Sequence, residues 1–106
     1  MNIVTGGTQT ATVSTKHQLY TTTSLNTYSL MVDTTNMVNG DVLELYIDVL
    51  YKSGGTARQT YMISYAHGQS DPGKISVPAL APYGATFSLK QTAGTGRSFD
   101  WCVISM

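Results

Sequence analysis

The stretch Gly40-Asp41-Val42-Leu43-Glu44-Leu45-Tyr46-Ile47-Asp48-Val49-Leu50-Tyr51 decides the fold. Leu43, Leu45, Ile47, Val49 and Tyr51 hold the odd positions, and Glu44 and Asp48 fall on even ones. A period of two marks a half-buried strand. On helical spacing the two carboxylates would interrupt the apolar stripe. Ser53-Gly54-Gly55 follows, and pairing Lys52 with Thr56 around it sets Leu43 opposite Tyr65, Leu45 opposite Ile63, Ile47 opposite Tyr61 and Tyr51 opposite Ala57. A slip of one residue would set Leu45 and Ile47 against Ser64 and Met62 and turn the strand over, so the first register is expected. Such a hairpin needs a left-handed glycine, assigned to Gly55. On its outer face Asp48 then lies opposite Thr60 and diagonal to Arg58, which reads as an exposed ion pair.

A second alternation runs through Ala85, Phe87, Leu89 and Gln91, and after Ala93-Gly94-Thr95-Gly96 through Phe99, Trp101 and Val103. It reads as a second hairpin with Leu89 beside Phe99, Phe87 beside Trp101 and Ala85 beside Val103. Lys90 and Asp100 would then form a diagonal surface pair, and the aromatics a second core wall. Upstream, residues 1–7 read as a flexible or partner-ordered arm, residues 8–15 as a first strand continued or followed by residues 19–23, and Tyr28, Leu30 and Val32 as one face of a further strand. Asn39-Gly40 supplies a tight turn. Residues 67–74, with Asp71-Pro72-Gly73, form a loop. Ile75-Ser76-Val77 is a short strand stopped by Pro78, and residues 79–82 are a connection. The two prolines place this region at an edge or between sheets.

Two hairpins, each apolar on one face, bury those faces against each other. The expected fold class is all-β: an antiparallel β-sandwich of about seven or eight strands over residues 8–106. The single cysteine, Cys102, excludes an immunoglobulin domain with its bridging disulfide, which favours a jelly-roll-like topology.

Charged residues make up 11% of the 106-residue chain, and six basic residues cancel six acidic ones. About a quarter is usual. Phosphate recognition needs a cationic face, so nucleic acid is not the expected partner. Sixteen threonines supply the polar surface instead, which suits strands. The N-terminal residues do not read as a signal peptide, and no apolar run approaches the ~20 residues of a membrane span, so synthesis in the cytoplasm and no membrane partner are expected.

No catalytic constellation emerges, and the chain reads as non-enzymatic. Gly94-Thr95-Gly96-Arg97 resembles a phosphate loop only superficially, because its glycines sit between strands and open no helix. His17 and His67, the latter near Asp71, are too few and too scattered for a zinc site, and no metal or other cofactor is expected. No Gly-x-Ser-x-Gly elbow is present. Cys102 reads as a semi-buried small hydrophobe. Tyr46, Tyr61, Tyr65 and Tyr83 could line a sugar-binding surface or serve core and interface roles.

Three stretches are similar to small proteins encoded in the structural gene region of tailed bacteriophages. They are Val38-Asn39-Gly40-Asp41-Val42-Leu43-Glu44-Leu45, the Lys52-Ser53-Gly54-Gly55-Thr56 turn and Leu89-Lys90-Gln91-Thr92-Ala93-Gly94-Thr95-Gly96-Arg97-Ser98-Phe99-Asp100-Trp101. The similarity covers Met31 to Met106 and consists of turns and core aromatics, so it transfers no catalytic residue. It implies a virion component, with a head decoration or cement protein first and a tail-associated or head-tail connector protein second. A receptor- or glycan-binding module is the further alternative. The implied partners are the major capsid protein or another virion protein and further copies of the chain, a trimer being favoured.

Overall fold

A computed structural model describes residues 1–66 and 71–106. Nine strands and no helix occur among them: β1 (Asn2–Thr10), β2 (Lys16–Thr22), β3 (Asn26–Asp33), β4 (Val42–Val49), β5 (Arg58–Ala66), β6 (Gly73–Ile75), β7 (Ala79–Ala81), β8 (Ala85–Ala93) and β9 (Ser98–Ser105). One sheet runs β1-β9-β3-β6, with β7 beside β6 on the same edge of β3, and the other runs β2-β8-β4-β5. All pairings are antiparallel. Because β6 and β7 share one position, each sheet is four strands wide, and apart from the β4–β5 hairpin the main strands alternate between the sheets. That is the jelly-roll arrangement.

Alternation along the strands becomes the core. Leu43, Leu45, Ile47 and Val49 face inward, set directly against Gln91, Leu89, Phe87 and Ala85 of β8. Tyr28, Leu30 and Val32 of β3 and Phe99 and Val103 of β9 supply the opposite wall, all buried. Phe87 is the hub: its ring meets Tyr28 edge-on at 5.7 Å and lies 6.3 Å from Tyr20.

The β4–β5 hairpin has the expected register at Leu43↔Tyr65, Leu45↔Ile63 and Ile47↔Tyr61. Beyond Ile47 a bulge shifts it by one, so Asp48 faces Gln59 and not Thr60, and Val49 faces Arg58. Tyr51 consequently lies outside the ladder, and its hydroxyl shares a 2.9 Å hydrogen bond with Thr60 Oγ1. The left-handed residue is Gly54 (φ +70°), not Gly55, because the turn closes tightly through Gly55 N–H donating to Lys52 O at 3.0 Å. With positive φ at its third residue this is a type II pattern. Gly54→Ala is expected to cost about 1–2 kcal/mol, the penalty of an L-residue in the left-handed region. An unchanged urea midpoint would place the left-handed residue elsewhere.

Four further expectations are corrected. Residues 1–7 are not a free arm: β1 begins at Asn2 and pairs along β9 from Asn2↔Ser105 to Thr10↔Ser98, because β9 needs a partner on its second edge. The strands expected as a C-terminal hairpin lie in opposite sheets, β8 between β2 and β4 and β9 between β1 and β3. Residues 79–81 form β7 on β3 and are not purely a connection, although the proline-bounded segment does lie at a sheet edge as expected. The strand count is nine, above the expected seven or eight, because that edge is split in two.

The crossing from β8 to β9 is held by a buried polar clamp. Asp41, only 1% exposed, accepts from Val38 N at 3.0 Å, Thr95 N at 3.3 Å and Arg97 Nε at 2.9 Å. Gln91, fully buried, donates through Nε2 to Ala93 O and Thr95 O and accepts from Arg97 N. The two buried side chains thereby have their polar atoms satisfied by the crossing. Gly94 (φ +87°) passes so close that an added Cβ would lie 1.9 Å from Asp41 Oδ1.

Candidate functional site

The two outer faces of the sandwich differ in chemistry. On the β2-β8-β4-β5 sheet the outward rows read Lys16–Lys90–Glu44–Ser64, Gln18–Ser88–Tyr46–Met62 and Thr21–Thr86–Asp48–Gln59. Three pairs of these side chains interact, Lys16–Asp48, Tyr46–Glu44 and Thr21–Thr86. Lys16 Nζ lies 3.2 Å from Asp48 Oδ2 and 4.3 Å from the Tyr46 ring centroid, and the Tyr46 hydroxyl donates to Glu44. That bond to a carboxylate, with burial and the charges of Glu44 and Asp48, pushes the Tyr46 hydroxyl up to about 12, so it stays a donor. The Lys16 contact replaces the expected Asp48–Arg58 pair, because the bulge turns Arg58 away.

The other sheet presents a different face. Its outward rows read Leu80–Thr27, Ser29–Ile104–Ile3, Ile75–Met31–Cys102–Gly6 and Gly73–Asp33–Asp100–Thr8. Ile3 is 80% exposed, Leu80 77% and Ile75 61%, and Leu25 stands beside Leu80 at 76%. Single exposed apolar residues are ordinary, but contiguous rows across one sheet mark an interaction surface.

Two hollows lie in this region. One, about 480 Å³, is walled by Leu25, Leu80 and Pro82. The other, about 490 Å³, is lined by Met31, Ile75 and Cys102 with Asp33 and Asp100 at one end. Asp33 accepts from the Thr35 amide and hydroxyl, and these bonds outweigh desolvation and hold its carboxyl below the usual 3.8. Asp100 accepts from Thr8 Oγ1 at 2.6 Å. The expected Lys90–Asp100 pair does not form, since the two residues sit in opposite sheets.

Other residues singled out in the sequence do not gather. His17 Nε2 accepts the Thr12 amide at 3.0 Å, a structural link between β1 and β2, and His67 lies outside the described residues. Among the described residues no group of three or more His, Cys, Asp or Glu side chains is placed to hold a metal ion, and no helix is long and apolar enough to cross a membrane. Tyr46 faces outward, whereas Tyr61 and Tyr65 pack against the core and Tyr83 lies in the β7–β8 connection, so the four form no common platform. Arg97 of the glycine-rich crossing is committed to Asp41. The apolar outer face was missed in the sequence because its members come from five strands. Comparison of the chain with protein-family models, curated proteins and solved structures finds no match.

Proposed function

We propose that this protein is a non-enzymatic structural component of a tailed-bacteriophage virion, a head decoration protein that docks on the capsid shell through the outer face of the β1-β9-β3-β6 sheet. The observation that carries the reading is the contrast between the two outer faces. One is polar and carries the Lys16–Asp48 ion pair, and the other leaves Ile3, Leu80 and Ile75 in water. Covering those residues would contribute about 25 cal/mol per Å² of apolar surface removed from water. On a repetitive shell modest single contacts suffice, because many copies act together. The sequence resemblance supplies the virion context, and the jelly roll, which recurs in viral capsid and lectin domains, agrees with it by fold-level analogy.

The test is a pair of surface variants. Ile3→Ser with Leu80→Ser should leave the thermal midpoint nearly unchanged, since both side chains are already solvated, and should lower the occupancy of the protein on reconstituted particles. Met62→Ser, on the opposite outer face, should leave occupancy at the wild-type level. Wild-type occupancy for the double variant would remove this face from docking.

A further inference from the structure

From the groove lined by Met31, Ile75 and Cys102 and closed at one end by Asp33 and Asp100, we infer a receptor site for an arginine side chain presented by a partner protein. This deepens the docking reading and rests on it for the identity of the partner, but not for the chemistry of the site.

Asp33 and Asp100 stand directly opposite each other in the β3–β9 ladder, on the outer face. Like charges in that position repel, and a sheet avoids the arrangement unless something offsets it. The chain has only six acidic residues, so placing two of them face to face is a large share of its negative charge. Asp41 and Asp48 are each in an ion pair, whereas among the described residues neither Asp33 nor Asp100 has a cation within salt-bridge distance. The one basic residue lining the groove, Lys74, is directed elsewhere. It pairs with Val32, so its side chain leaves the opposite side of the sheet, and Nζ sits 5.2 Å from the centroid of the Tyr65 ring. The groove thus offers two exposed carboxylates, hydrogen-bonded to Thr35 and Thr8 but with no cation beside them among the described residues.

The floor identifies the kind of cation. A metal ion would make no use of Met31 and Ile75, which stand in one cross-strand row beside the Asp33–Asp100 row. A long side chain with an apolar stem and a charged head fits both rows at once, the stem along the thioether and isoleucine and the head at the carboxylates. A guanidinium, planar and with five donors, can serve two carboxylates together, which an ammonium does less well. About 490 Å³ is ample for one such side chain.

The probe is N-acetyl-arginine methylamide, with the citrulline analogue as its uncharged isostere, titrated into the full-length ¹⁵N-labelled protein. Saturable amide shifts are expected at Met31, Ile75 and Cys102 with the arginine probe and not with citrulline. In the Asp33→Asn/Asp100→Asn variant, whose amide oxygens still accept from Thr35 and Thr8, binding should weaken about tenfold or more, the worth of a charge-assisted contact. Equal binding of citrulline, or undiminished binding by the variant, would overturn the proposal. Particle occupancy separates the two claims. If Ile3→Ser/Leu80→Ser docks normally while the arginine probe binds as expected, the shell-docking reading fails and the groove assignment stands. If Asp33→Asn/Asp100→Asn docks normally while Ile3→Ser/Leu80→Ser does not, the face docks and the groove is not its receptor.

Discussion

Asp41→Ala is expected to destabilise the protein by about 3–5 kcal/mol, the cost of removing one partner from a buried ion pair. Three donors lose their acceptor together: the Val38 and Thr95 amides and Arg97 Nε. The Gln91 half of the clamp is then left to hold the β8–β9 crossing alone. The same site makes stability depend on pH. Burial opposes the Asp41 charge, but the hydrogen bonds from Val38, Arg97 and Thr95, with the guanidinium charge, outweigh it and hold the carboxyl below its ordinary 3.8. A depressed folded-state value means the contribution is fully present above the unfolded pKa and is lost as pH falls through the folded one. Urea titrations should therefore show the gap between wild type and Asp41→Ala wide at neutral pH and narrowing in acid. A gap under about 1 kcal/mol at neutral pH would mean the pair contributes nothing net, as exposed pairs often do.

Phe87→Ala should cost a similar ~3–5 kcal/mol, from lost transfer free energy and the cavity left behind. Phe87 is fully buried, set between Ile47 on β4 and Tyr20 on β2, with Tyr28 of the facing sheet against its ring. Trp101 carries more surface, and on volume alone would be taken as the anchor. It is only half-buried, because its strand neighbour on one side is Gly7, which packs nothing over the indole but its own backbone. Trp101→Ala is accordingly expected to cost well under Phe87→Ala in the same denaturation assay. The reverse order would mean that the indole, not the Phe87 ring, is central to the core.

The contrast between Phe87 and Trp101 shows how far the sequence can be read. Alternation in β4 and β8 correctly marked which residues face inward, and the opposed apolar pairs of β4 and β5 fixed their register up to Ile47. Period two, however, says only that Phe87 and Trp101 face a common core. It is the same whether their strands are neighbours in one sheet or face each other across two, so the expected β8–β9 hairpin came from proximity in the chain alone. What distinguishes the cases is Asp41 holding Thr95 and Arg97, a contact across more than fifty residues that no local pattern announces. The bulge after Ile47 was hidden for a related reason, since the start of β5, Arg58-Gln59-Thr60, is polar throughout and has no alternation for a shift to break. No local pattern relates Asp33 to Asp100, which the β3–β9 ladder sets side by side.

The claim that the outer face of the β1-β9-β3-β6 sheet is the docking surface is tested most directly by an electron-microscopy map of assembled particles carrying this protein. Copies spread over the shell are expected, with Ile3, Leu80 and Ile75 turned toward the neighbouring subunit and the Lys16–Asp48 face turned to solvent. Copies confined to the tail, or seated on the shell through the Lys16–Asp48 face, would contradict it.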